Sequence, residues 1–135
     1  VGSEMCIRDR YESFGPVRNP ILVIDSSATA IRKIETIELS YTRSYKILFD
    51  SEGVIFKYII HKDTGQYIDL VSVYREQPTG DRTRKFSHIL PSNIPNGRYV
   101  LKTIYFYRPA FSVNERKVEY PDIEFNVCGK FETCL

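Results

Sequence analysis

The sequence predicts an all-β fold, an antiparallel β-sandwich of seven or eight strands. Three observations carry that prediction. Ten tyrosines and eight phenylalanines, with many β-branched residues and no tryptophan, favour sheet over helix. Turn signals recur at roughly ten-residue spacing, the rhythm of short strands in a sandwich. No stretch holds the 3.6-residue apolar period long enough to make an amphipathic helix. An apolar fraction of 42% over 135 residues is enough for the core of one domain and argues against disorder.

The elements follow in chain order. "VGSEMCIRDR" (Val1–Arg10) has neither strand alternation nor helical period. Glu4–Asp9 matches the translation of GAG ATG TGT ATA AGA GAC, the end sequence that transposases insert in sequencing libraries. The stretch is therefore set aside as an adapter artefact, expected to be disordered. No methionine follows Met5, so the chain is expected to be a fragment, with any signal peptide or membrane anchor upstream. Cys134-Leu135 is open to the same origin, because the reverse complement of the adapter begins TGT CTC. Otherwise Cys128 and Cys134 are spaced to close a small terminal disulfide, and the redox compartment stays open.

"YESFGPVRNP" (residues 11–20) carries Gly15, Pro16, Asn19 and Pro20 and reads as a linker. "ILVID" is expected as a short first strand from Ile21, stopped by Ser26-Ser27. "ATAIRKIET" leaves helix and strand open, since Ile31 and Ile34 share helical spacing. Ile37, Leu39 and Tyr41 alternate with Glu38, Ser40 and Thr42, the period-two signature of a half-buried strand. "SYKILF" continues or follows it to a turn at Asp50–Gly53. "VIFKYIIH" is apolar on both faces apart from Lys57, as a central strand would be. "KDTG" (Lys62–Gly65) then joins it to "QYIDLVSVY" in a hairpin. "REQPTGDRTR" is expected as a polar loop, "KFSHIL" as a short strand and "PSNIPNG" as a loop. "RYVLKTIYFY" is the longest strand, ending at Arg108-Pro109. "AFSVNERK" is a connection or hairpin tip. "VEYPDIEFNV" closes the domain with Ile123, Phe125 and Val127 on one face, Pro121 marking an edge or a bulge. The domain is expected to span residues 21–128, with 129–135 as a tail.

"LPSNIPNGRYVLKTIY" sharpens the fold. In Greek-key sandwiches a tyrosine near the start of the penultimate strand bonds back to the loop before it. Asn96, Gly97 and Tyr99 fit such a tyrosine corner, with Gly97 supplying backbone freedom and Tyr99 a core ring and a hydroxyl on a carbonyl. On these residues the chain resembles the immunoglobulin-like and fibronectin-like sandwiches. It departs from the antibody pattern, for Leu101 stands at the second cysteine position and tryptophan is absent. With "YTRSYK", "HKDTG" and "IPNGRYVLKTIYFYRP" it is also similar to small phage-encoded Ig-like proteins of environmental origin. That resemblance implies an accessory domain, often behind a membrane anchor, that is membrane-anchored, envelope-exposed or virion-associated. It implies no mechanism.

The search for chemistry is mostly negative. A net charge of +2 is too small to argue for nucleic acid or an anionic membrane. His61 and His88 lie in no HExxH arrangement, and no Cys/His cluster has zinc-ligand spacing, so neither metal nor cofactor is expected. Nucleophile elbow, Gly-rich phosphate loop and dinucleotide fingerprint are all missing. His88 shares parity with Phe86 and Leu90 and reads as a satisfied core or semi-exposed histidine, His61 as a solvated side chain at a turn. Asp63, Asp69, Asp81 and Asp122 have no spacing that selects a hydrolytic pair. No catalytic residue is assigned.

Two binding candidates remain. The basic segment Arg75, Arg82, Arg84 and Lys85 is flanked by Tyr74 and Phe86, a mixture that can hold phosphates and stack bases. Glu76 and Asp81 dilute its field, which favours a solvated loop or a self-assembly contact over nucleic acid. The tip "YRPAFSVNERK" carries Tyr107, Arg108 and Phe111, residue types enriched at interfaces. The function expected is a non-enzymatic binding or structural sandwich whose partner is another protein or a second copy. A carbohydrate-binding module is the runner-up and a carboxylate hydrolase third. A flat aromatic-lined face would favour sugar, and a cleft with convergent carboxylates an enzyme.

Overall fold

The computed structural model describes residues 19–109 and 114–128, which form eight strands in two antiparallel sheets. One sheet has the order β1-β2-β5, from β1 (Ile21–Arg32), β2 (Thr36–Ile47) and β5 (Gly80–Pro91). The other contains β3 (Ser51–His61), β4 (Tyr67–Gln77), β6 (Gly97–Pro109), β7 (Arg116–Glu119) and β8 (Ile123–Val127), in the order β4-β3-β6-β7 with β8 also on β6. The chain changes sheet at β2→β3, β4→β5 and β5→β6, which stacks the two sheets as a Greek-key sandwich. Residues 1–10, expected as an adapter artefact, residues 11–18 of the expected linker, Phe111, and the expected 129–135 tail with Cys134 lie outside the described residues.

β2 shows why these residues make strands. Ile37, Leu39, Tyr41, Arg43, Tyr45 and Ile47 alternate inward over its whole length. Each apolar member removes its side chain from water, worth about 1.5–3 kcal/mol per large residue. β1 pairs with β2 from Ile21↔Ile47 to Arg32↔Ile37. Ser26-Ser27 therefore does not stop the first strand, and the ambiguous stretch after it is strand up to Arg32, with Lys33, Ile34 and Glu35 turning the chain into β2. The continuous ladder along β2 outweighs weak serine propensity, and a bulge between Val23 and Asp25 absorbs the irregularity.

A larger correction concerns "REQPTGDRTR". β4 runs on to Gln77 and β5 begins at Gly80, so only Pro78 and Thr79 lie between the two strands. Asp50 clamps this corner, accepting from Thr79 N–H at 2.8 Å and Thr79 O–H at 2.7 Å. Gly80 turns it at φ 138°. The expected last strand is instead two. β8 pairs with Gly97–Leu101 and β7 with Ile104–Tyr107 of β6, with Pro121 in the break.

The β5–β6 loop is held by side chains from three directions. Tyr99 is 1% exposed and its hydroxyl donates to the Pro95 carbonyl at 2.6 Å. His61 is buried against the Tyr99 ring rather than solvated. Its Nε2 donates to the Asn96 carbonyl at 3.2 Å, so Nδ1 is left to accept from the Thr64 hydroxyl at 2.8 Å. Gly97 sits at φ 136°, where a Cβ would come within 2.7 Å of that Nε2. Arg32 reaches across from β1 and donates to the carbonyls of Cys128, Ser92 and Ile94 and to Asn96 Oδ1. Cys128 is disulfide-bonded, and its partner lies outside the described residues.

The core is split. One cluster packs Ile37, Leu39, Ile59, Leu90, Leu101 and Phe125 around Tyr99. The second packs Ile21, Tyr45, Ile47, Ile55, Tyr105 and Tyr120. Between them, on the three central strands, lie Arg43, Lys57 and Thr103, exposed by 1%, 6% and 2%.

Candidate functional site

That polar layer, a waist between two apolar clusters, is where the basic residues of the sequence gather. Arg75 is on β4; Arg82 and Arg84 are on β5 with the parity of Phe86, His88 and Leu90, so all three are half-buried and face the sandwich interior. Arg84 and Arg43 are direct cross-strand partners. Lys85 points the other way, to a shallow recess on the outer face of the three-stranded sheet beside Ser27, Thr29, Ser40, Thr42 and Ser87. The structure thus brings Arg75 and Arg84 together and separates Lys85 from them.

Two residues that sequence reasoning missed complete the waist. Arg43 continues the inward parity of Leu39 and Tyr41, and Lys57 that of Ile55 and Ile59. Period-two counting finds both once an inward-facing cation is admitted. A bulge sets the fourth. Phe56 pairs with Ser72 and Tyr58 with Asp69, so Leu70 and Val71 together oppose Lys57. The extra residue resets β4, turning Leu70, Val73 and Arg75 all inward and leaving Tyr74 outside.

Aromatic rings frame the cations. Lys57 Nζ lies 3.5 Å from the Phe86 ring centroid and 5.2 Å from that of Tyr41. The Arg43 guanidinium is 5.0 Å from Tyr120 and 6.0 Å from Tyr41, and that of Arg84 5.7 Å from Tyr45. Polar support is sparse: Arg43 Nη2 donates to the Pro121 carbonyl at 3.0 Å and Arg84 Nη1 to Gln77 Oε1 at 3.0 Å. Among the described residues, Arg43 Nε, Arg75 Nε, Thr103 Oγ1 and Tyr120 Oη have no hydrogen-bond partner.

Burial, then the guanidinium groups of Arg75, Arg43 and Arg84, pull the Lys57 ammonium down to about 7. Burial likewise lowers Arg43 and Arg84 from the usual guanidinium range. It raises the phenols of Tyr41, Tyr45 and Tyr120. His88 is lowered by burial and then by Lys57, while its Nε2 lies 3.4 Å from the Tyr41 hydroxyl. A desolvated cation–π contact returns about 2 kcal/mol, whereas taking an ion out of water costs several kcal/mol even after relaxation. The waist therefore carries a deficit that its own residues do not cover.

Of the tip candidates, Tyr107 is in the core, 2% exposed and stacked on Tyr105, while Arg108 is exposed at the end of β6. Exposed aromatics lie instead on the outer face of the five-stranded sheet. There Phe56 meets Phe106 edge-on at 5.3 Å and Tyr58 meets Tyr67 edge-on at 6.2 Å. Phe56 is 41%, Tyr74 57% and Tyr67 64% exposed. A recess of about 350 Å³ opens beside Tyr58, Ile60, Gly65, Tyr67 and Asp69. The carboxylates do not converge: Asp63 is in the β3–β4 turn, Asp69 on β4, Asp81 at the start of β5, and Asp122 pairs with Lys102 at 2.9 Å. Among the described residues no cluster of three His, Cys, Asp or Glu side chains is placed to hold a metal ion. The chain matches no protein-family model and no curated protein.

Proposed function

We propose that this chain is a non-enzymatic Ig-like β-sandwich that works by protein–protein contact through the outer face of its five-stranded sheet. The Ig-like assignment draws on the strand order β1-β2-β5 against β4-β3-β6 and on the Tyr99–Pro95 corner bond. A phage-encoded accessory setting is the one its sequence resemblances favour.

The observation that carries the contact is the aromatic stripe of Phe56, Phe106, Tyr58, Tyr67 and Tyr74. Aromatics of this kind supply rigid, amphipathic contact area and dominate interface energetics. The partner tested first is a second copy of the chain. Asp69 and Glu76 lie on the β4 side of the face and Arg98 and Arg108 on β6, all exposed. A two-fold axis parallel to the strands lays acidic β4 over the basic β6 of the other copy, an isologous pairing. Mixed signs around an apolar centre also disfavour nucleic acid.

Sedimentation velocity over rising concentration tests this. The wild type is expected to dimerise, and Phe56→Glu to remain monomeric while folded. A wild type that stays monomeric at every concentration overturns self-association through this face.

The recess at Tyr58, Tyr67 and Asp69 favours carbohydrate as the second reading. Edge-on rings, 88° apart for Phe56–Phe106 and 75° for Tyr58–Tyr67, do not make the coplanar platform on which a sugar chain stacks, which ranks it second. Oligosaccharide binding lost in Tyr67→Ala would promote it.

A further inference from the structure

The outer-face contact leaves the interior charge unused. Arg43 and Arg84 stand side by side on β2 and β5, and Lys57 and Arg75 face them from β3 and β4. Among the described residues the ion pairs are those of Lys33, Lys62, Lys102 and Lys117, and none involves these four cations. Four donors around them, on Arg43, Arg75, Thr103 and Tyr120, have no hydrogen-bond partner among the described residues. Arg43 is 1% and Lys57 6% exposed, so water cannot compensate their charge freely.

We propose that the waist is a binding site for a small tetrahedral oxyanion of the phosphate or sulfate type, held between the two sheets. Charge is the first reason: among the described residues no carboxylate forms an ion pair with these cations, for Asp122, the carboxylate that acts on Arg43 through space, is paired with Lys102, and buried charges in proteins are paired. Shape is the second. Donors arrive from both sheets, and an anion with oxygens in every direction can accept from all of them. A planar carboxylate, with two oxygens on one side, would leave one sheet's donors unused.

Access is the third reason. β4 and β5 are the free edges of their sheets at this side and are joined by Pro78-Thr79 alone. Half-buried Arg75 and Arg84 on those edges form the mouth, with Arg43 and Lys57 behind them. Gln77, 2% exposed, accepts from Arg84 Nη1 and holds that guanidinium in place. The bulge opposite Lys57 adds a fourth argument, because without it Arg75 would point to solvent.

The test is thermal unfolding of the full chain at slightly acidic pH, in millimolar phosphate or sulfate against chloride at matched ionic strength. Such concentrations are too low for general salt exclusion, so a saturating rise in Tm reports binding to the folded state. The wild type is expected to gain several degrees in phosphate or sulfate. Arg75→Gln combined with Arg84→Gln, substitutions at half-exposed positions, is expected to keep its strand circular dichroism and lose most of that gain. Should the double variant not fold, broadening of the phosphate ³¹P resonance on titration with wild-type protein decides. Equal Tm in the three salts with no broadening overturns the proposal, as does a folded double variant that keeps the full gain.

Discussion

At the scale of single residues, Lys57 is the most consequential. Its folded pKa is about 7, against about 10.4 in an unfolded chain. Between those values the unfolded chain holds a proton that the folded chain does not, so stability rises with pH. The slope is up to ~1.4 kcal/mol per pH unit. The groups facing Lys57 do not cancel it: Arg43, Arg75 and Arg84 stay charged through this window. His88, lowered by burial and then by Lys57, pulls in the same direction rather than against it. Above about pH 10 the trend reverses, because the buried Tyr41, Tyr45 and Tyr120 keep protons that unfolded tyrosines lose. Urea unfolding in anion-free buffer should show this rise, and Lys57→Met should flatten it. A flat wild-type profile would show that the ammonium is not buried among cations. At the corner, Tyr99→Phe removes the bond to Pro95 and should cost about 1 kcal/mol. Gly97→Ala adds strain at φ 136° and a clash with His61, and should cost about 1–3 kcal/mol in the same assay.

At the scale of elements, three devices decide the architecture. Arg32 ties the end of β1 to the β5–β6 loop and to the end of β8 through four hydrogen bonds. Arg32→Met should lower stability by about 2 kcal/mol and speed amide exchange at the end of β1 before the centre of β2. Unchanged exchange there would mean that the β1–β2 ladder alone holds the strand. The β4 bulge is the second device. Removing Val71 would bring Tyr74 to the inner face and Arg75 to the outer, reversing every side chain beyond it. The third is the Pro78-Thr79 corner clamped by Asp50, which lets one polar decapeptide serve two strands in different sheets. Its polar composition reads as loop because its inward side chains, Arg75, Gln77, Arg82 and Arg84, are polar where a core strand would place apolar ones.

For the whole molecule, the sandwich amounts to two apolar clusters joined by a cationic layer. Exchanging buried ions for apolar residues of similar volume is often neutral or favourable by about 1–4 kcal/mol. Arg43→Met combined with Lys57→Met should therefore raise Tm in anion-free buffer while abolishing the gain from phosphate. A double variant less stable than wild type in that buffer would mean the cations already find their compensation within the protein, in the rings of Tyr41, Phe86 and Tyr120.

The sequence by itself determined the all-β class and the central strands with the face their residues take, but not the full length of β1, the adjoining ends of β4 and β5 or the split between β7 and β8. Alternation is a local property, so Ile37, Leu39 and Tyr41 announce an inner face, and continuing the count places Arg43 and Lys57 on it too. The Tyr99 corner is equally local, its hydroxyl bonding a carbonyl four residues back. Tertiary structure decided the rest. Which sheet a strand joins and which residues face it depend on pairings between distant segments, and the β4 bulge exists only in register against β3. Strict alternation from Leu70 carries Tyr74 inward and Arg75 outward. The one-residue shift reverses both, and with them the distinction between a solvated basic loop and a buried cationic waist.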